Sequence, residues 1–137
     1  MLPITEPRMT RFWITLDQGV DLVIIRSLER MQGGELYVPK IPSMNIMDMV
    51  KAIAPECRIE IVGIRPGEKL HEAMIPRDDG RNTVEFQDHY VIKPLFRFFD
   101  NRFCSTECQP VPDDFEYNSG DNPWRLSIEE MQSIISQ

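Results

Sequence analysis

The stretch Gly63-Ile64-Arg65-Pro66-Gly67-Glu68-Lys69-Leu70-His71-Glu72 joins an apolar strand to a charged segment, and its reading decides the fold. Arg65 closes a strand that runs from Ile59 to Ile64. Pro66 fixes φ at about −65° and Gly67 is free to take a positive φ, so Pro-Gly reads as the centre of a type II turn. That turn places Arg65 beside Glu68 at its mouth, a planar five-donor fork next to a carboxylate acceptor. The fork matches pyrophosphate oxygens in a bidentate way, and the carboxylate suits ribose hydroxyls. A solvated Arg/Glu pair on an ordinary surface turn is the other reading of these ten residues.

Working outward on the N-terminal side, Cys57 leads into the strand Arg58-Ile59-Glu60-Ile61-Val62, whose alternation predicts one buried face and one wet face. Before it, Ser43 is the expected N-cap of a helix with apolar positions Ile46, Met49, Val50 and Ile53, stopped by Pro55. Glu35 to Val38 reads as a strand. An earlier helix opens with a capping box of Thr15 and Gln18, carries Asp17 in its first turn and ends at Gly33-Gly34. Leu16, Val20, Val23, Ile24, Leu28 and Met31 fall on one face of it, which is expected to pack on a sheet or another helix. Met9 to Ile14 reads as a short strand with Arg11 embedded among bulky β-formers. Its head either snorkels into water or meets an anion as a second phosphate clamp. The opening Leu2 to Pro7 reads as an extended lead-in.

On the C-terminal side, Glu68 to Ile75 is expected to be a short helix with Leu70 and Met74 inside. His71, flanked by charged and apolar neighbours, reads as structural or exposed rather than as an acid/base. Pro76 to Asn82 is a polar loop, and Val84 to Phe86 and His89 to Ile92 are expected as short edge strands. Leu95 to Asn122 scatters Phe96, Phe98, Phe99, Phe103 and Phe115 among turn-formers without a period, an irregular region suited to covering a core face or meeting a partner. Ser127 and Glu130 form a second capping box, with Leu126 and Met131 as its hydrophobic staple, and a final helix runs to the end.

These elements amount to one mixed α/β unit over 137 residues with about four helices. Its motif-bearing part is 1–94, its irregular region 95–122 and its terminal helix 123–137. A chain of this length buries roughly two-thirds of its unfolded surface. The 42% apolar and 27% charged composition is that of a globular protein, and the longest apolar run is far too short to span a bilayer. No signal-peptide pattern opens the chain, so the cytoplasm is the expected location and no membrane partner is expected. A net charge of −7 argues against nucleic-acid binding, which needs a basic surface. Cys57, Cys104 and Cys108 make no disulfide framework, and Cys104, Cys108 and His89 are a poor zinc set, so no metal is expected.

Three segments together resemble a known family: Pro3 to Ile14, Val38 to Met44, and Gly63 to Glu72, with Phe115 to Asn122 a further likeness. They are similar to the C-terminal part of the inverting UDP-N-acetylglucosamine 4,6-dehydratases, in the polysaccharide-biosynthesis branch of the extended short-chain dehydrogenase/reductases. The resemblance implies a C-terminal substrate-binding lobe, with Arg11 and Arg65 holding the UDP pyrophosphate and Glu68 contacting the uridine ribose. It implies a reaction in which bound NADP or NAD takes hydride from C4, water leaves across C5 and C6, and hydride returns at C6 with C5 inverted. The family's Gly-rich turn and Tyr-x-x-x-Lys pair belong to a dinucleotide-binding Rossmann half, and neither occurs here. The expectation is therefore a UDP-sugar-binding lobe with no catalytic residue and no cofactor site of its own, inactive alone. The alternative is an interaction piece that docks on a complete subunit or on a separately encoded cofactor half. A homo-oligomer is a further expectation.

Overall fold

The structure is a computed structural model and describes residues 1–96 and 107–136. It is a mixed α/β fold. In chain order it runs β1 (Leu2–Ile4), β2 (Thr10–Phe12), α1 (Leu16–Asp21) continued by a π-helix (Leu22–Leu28), β3 (Leu36–Pro39), β4 (Ser43–Asn45), α2 (Ile46–Ile53) and β5 (Ile59–Ile61). There follow β6 (Ala73–Ile75), a 3-10 helix (Arg77–Asn82), β7 (Thr83–Glu85), β8 (His89–Ile92), β9 (Gln109–Pro110), β10 (Tyr117–Asn118) and α3 (Ile128–Ile135). Two compact units emerge. Met1–Trp13, Ile41–Glu72 and Asn118–Gln137 form the first, and Ile14–Lys40 with Ala73–Tyr117 the second.

In the first unit, β1 pairs with β5 in parallel, Leu2 opposite Ile59, and β2 pairs with β4 antiparallel, Arg11 opposite Met44. The opening residues thus form a strand, β1, where only an extended lead-in is expected from the two prolines. The core gathers Met44, Ala52 and Met131, with Trp13, Met49, Leu126 and Ile128 packed around them. Both ends of the predicted staple, Leu126 and Met131, therefore meet in the core. The Ser127–Glu130 capping box is present in both directions, so α3 starts where its sequence says.

Helix α2 starts at Asn45, not Ser43. Asn45 Oδ1 accepts the Met47 N–H at 2.7 Å. Ser43 is held extended because its N–H donates to the Trp124 carbonyl and its carbonyl accepts from Leu126, which leaves it inside a strand and fully buried.

In the second unit, β3, β8, β7 and β9 form an antiparallel sheet in that order, with Tyr37 opposite Val91 and Val84 opposite Val91 on the other side. The two short strands expected at an edge are interior ones: β8 has neighbours on both sides and buries His89, Tyr90 and Val91. The Thr15–Gln18 capping box is present, and Gly33 and Gly34 both take positive φ after the helix. The apolar face of that helix does not pack as expected. Leu16 is 83% exposed and Val20, Val23, Ile24, Leu28 and Met31 are all exposed as well. The expectation for Phe98, Phe99, Phe103 and Cys104 lies outside the described residues.

A turn braced by a carboxylate: the candidate functional site

The decisive stretch closes on itself. The Glu68 N–H donates to the Arg65 carbonyl at 3.1 Å, and a Glu68 carboxylate oxygen accepts the Arg65 N–H at 3.0 Å. Gly67 holds φ +85°, the left-handed value that the third position of a type II turn demands. The pair therefore meets through the backbone of Arg65. The Arg65 guanidinium is exposed and makes no hydrogen bond or ion pair among the described residues, so its five donors are available to a ligand. Glu68 keeps its second carboxylate oxygen.

Beyond Glu68 no helix forms, contrary to expectation, because the carbonyls that would accept within a helix are taken from outside. Arg11 Nη1 donates to the Thr10 carbonyl at 2.7 Å and to the Leu70 carbonyl at 3.2 Å. Nη2 donates to the Lys69 carbonyl at 3.1 Å and reaches Met9 Sδ at 3.5 Å. Nε lies 3.6 Å from a Glu72 oxygen. The four Nη hydrogens thus have hydrogen-bond partners within the unit, and Nε stands in an ion pair with Glu72. The Thr10 N–H adds a further bond to the Leu70 carbonyl, and Ser119 takes both backbone groups of Glu72. Arg11 ties the segment after the turn to β2; among the described residues no hydrogen bond or ion pair joins it to Arg65 or Glu68.

Local patterns do not foretell the cluster beneath. Thr10 Oγ1 lies 2.7 Å from His71 Nδ1 and 2.7 Å from Ser119 Oγ, and Ser119 Oγ donates to the Thr10 carbonyl at 3.0 Å. Thr10 and Ser119 are buried while His71 is exposed. The partners are 61 and 109 residues apart, so only the fold joins them.

The N-termini at Thr15, Asn45 and Ser127 are closed by their own side chains, with no glycine turn leading into them. Among the described residues no three His, Cys, Asp or Glu side chains gather to hold a metal, and no helix is long and apolar enough to cross a membrane.

A UDP-N-acetylglucosamine 4,6-dehydratase (inverting) of Campylobacter jejuni is 48% identical over 141 residues, which cover 98% of this chain and 42% of that protein. A UDP-glucose 4-epimerase of Rickettsia conorii is 29% identical over 98% of this chain and 40% of its own length. The solved structure described as Pen from Bacillus thuringiensis superposes with a TM-score of 0.76 at 26% identity, covering 98% of this chain and 40% of that one. The chain thus spans about two-fifths of the length of each. The family model described as polysaccharide biosynthesis protein matches residues 1–94, which contain β2, the Arg65 turn and His71, and the chain belongs to that family.

Proposed function

We propose that this chain is the nucleotide-sugar-binding portion of a UDP-N-acetylglucosamine 4,6-dehydratase, inactive alone. Arg11 and Arg65 take the diphosphate and Glu68 the uridine ribose. The observation that carries the reading is the free Arg65 guanidinium, held at the mouth of a closed turn beside a carboxylate with one oxygen unused. Arg65 contacts phosphate directly. Arg11 takes part by exchanging its bond to the Lys69 or Leu70 carbonyl for one to a phosphate oxygen, since its Nη donors are engaged without ligand. Their contribution is positioning rather than bond-making. NADP or NAD, and the residues that move protons, come with the Rossmann half that this reading places outside the chain.

Calorimetric titration with UDP tests it. The chain binds, and Arg65→Ala abolishes binding; equal affinity in the variant rejects the assignment.

A second reading is favoured by the groove of Ile14, Thr15, Leu16, Gly19, Val20, Val23 and Ile24, almost wholly apolar and open. In it the chain docks through this face on a complete dehydratase subunit or a separately encoded cofactor half. Homologous relatives more than twice as long support it, as does the exposure of side chains patterned for burial. Co-expression with a full-length dehydratase and size-exclusion chromatography test it; two separate peaks count against it.

A further inference from the structure

The hydroxyl hydrogens around His71 are few, and counting them assigns the imidazole. Ser119 has one. Its oxygen lies 3.0 Å from the Thr10 carbonyl, which only accepts, so that contact takes the Ser119 hydrogen. Ser119 Oγ in turn accepts the Glu72 N–H at 2.9 Å and, at 2.7 Å, the Thr10 hydroxyl. Thr10 then has no hydrogen left for His71, and His71 Nδ1, 2.7 Å away, is the donor. The reverse order, with Thr10 donating to Nδ1, makes Ser119 donate to Thr10 Oγ1 and strands its contact with the carbonyl. Buried polar groups favour the arrangement that satisfies every contact.

The rest of the surroundings fix the ring. A Cβ on Gly120 would stand 2.8 Å from His71 Cγ, 2.9 Å from Cδ2 and 3.0 Å from Nδ1. Glycine therefore lies against the Cγ, Cδ2 and Nδ1 side of the imidazole, where any larger residue would collide with the ring. Nδ1 turns inward to the hydroxyl of Thr10, a residue 4% exposed, and His71 itself is exposed, which sets Nε2 toward its outer edge. An ordinary surface histidine has no such frame of two buried hydroxyls drawn from distant segments.

We infer that His71 is a ligand-contact residue: with a hydrogen held on Nδ1, the ring presents Nε2 as hydrogen-bond acceptor for a hydroxyl of the sugar nucleotide, with Thr10 and Ser119 as positioning residues. The inference rests on the nucleotide-sugar reading above. An acceptor nitrogen repels phosphate oxygens and recognises an O–H, which the ribose and the hexosamine both offer. His71 is three residues from Glu68 and adjoins Glu72 in the chain.

Two measurements on the whole chain test it. Nitrogen-15 NMR of the ligand-free protein shows His71 with its hydrogen on Nδ1, and Thr10→Val moves it toward Nε2; an Nε2–H ring in the unsubstituted chain overturns the inference. Titration with UDP and with UDP-N-acetylglucosamine then compares the unsubstituted chain, His71→Ala and Arg65→Ala. Loss of one hydrogen bond weakens His71→Ala about five-fold. A loss seen with both ligands assigns the ribose hydroxyl, and one seen only with the sugar nucleotide assigns the hexose. His71→Ala binding both as the unsubstituted chain does, while Arg65→Ala does not, overturns the role of His71 and leaves the nucleotide site standing. No binding of either ligand by the unsubstituted chain overturns both readings together.

Discussion

Arg65 and Glu68 are bonded in both directions: the carbonyl of the first accepts from the N–H of the second, and the carboxylate of the second accepts from the N–H of the first. The ring so formed orients two side chains with one backbone device. It uses the carboxylate as a brace on the Arg65 backbone while leaving the guanidinium without a partner among the described residues.

The brace depends on Gly67. Its φ of +85° lies in the left-handed region, yet nothing stands within 4 Å of where a Cβ would be. Gly67→Ala therefore meets no clash, and its whole cost is backbone strain of about 1 kcal/mol. Denaturant unfolding should show that loss, with UDP affinity falling further because the turn relaxes. Unchanged affinity would falsify the claim that the turn's shape presents Arg65.

Arg11 holds the segment after the turn with a planar fork that lysine does not reproduce. Arg11→Lys keeps the charge but leaves the Lys69 and Leu70 carbonyls without their full set of donors. A loss of about 2 kcal/mol is expected, at the level of hydrogen bonds to a charged group. Amide exchange should quicken at Thr10 and at Ser119, whose N–H groups bond Leu70 and Glu72. A variant as stable as the original, with exchange unchanged, contradicts the fastening role.

The parts of this fold readable in the sequence are those settled within one turn of chain. Thr15 with Gln18, Ser127 with Glu130 and Pro66-Gly67 each carry both halves of their hydrogen-bond pattern within four residues. Readings failed where distant groups compete for the backbone. A helix from Glu68 is precluded by an arginine 58 residues away, and Ser43 is drawn into a strand by Trp124 and Leu126. The candidate site divides the same way. Arg65 and Glu68 are local, whereas the frame around His71 spans most of the chain. The exposed face of the first helix was correctly periodic, and what it lacks among the described residues is an opposing surface.

Ser127→Ala removes the acceptor for the Glu130 N–H and the first link between α3 and the core. N-cap losses of this kind cost about 1 kcal/mol. Met131, 1% exposed against Met44 and Ala52, is the costlier position. Met131→Ala should lose about 3 kcal/mol by opening a cavity. If thermal melting ranks the two variants the other way, the first unit's core has been misplaced.

Tyr90 sets an alkaline limit. Burial, then Glu85, then Tyr117, push its hydroxyl up to about 12 from 10.0. The folded chain thus holds this proton more tightly than the unfolded one. Its contribution to stability is complete below pH 10 and is lost as pH rises toward about 12. Tyr90→Phe cannot ionise, so its stability should fall less steeply across that window in denaturant unfolding; parallel curves would remove Tyr90 as the cause.

The apolar face of the first helix makes the most direct claim about assembly. Val23 and Ile24 are each 53% exposed and line the groove with Val20 and Gly19. Because neither is part of the packed interior, Val23→Asp should leave the melting temperature nearly unchanged, within the small range of surface substitutions. A charge placed there must instead be desolvated when a partner closes over the groove. The variant should therefore elute apart from a co-expressed full-length dehydratase that the original chain accompanies, at equal melting temperature. If Val23→Asp still co-elutes, the groove is not the docking face. If it unfolds early, the helix packs within this chain and its exposure has another meaning.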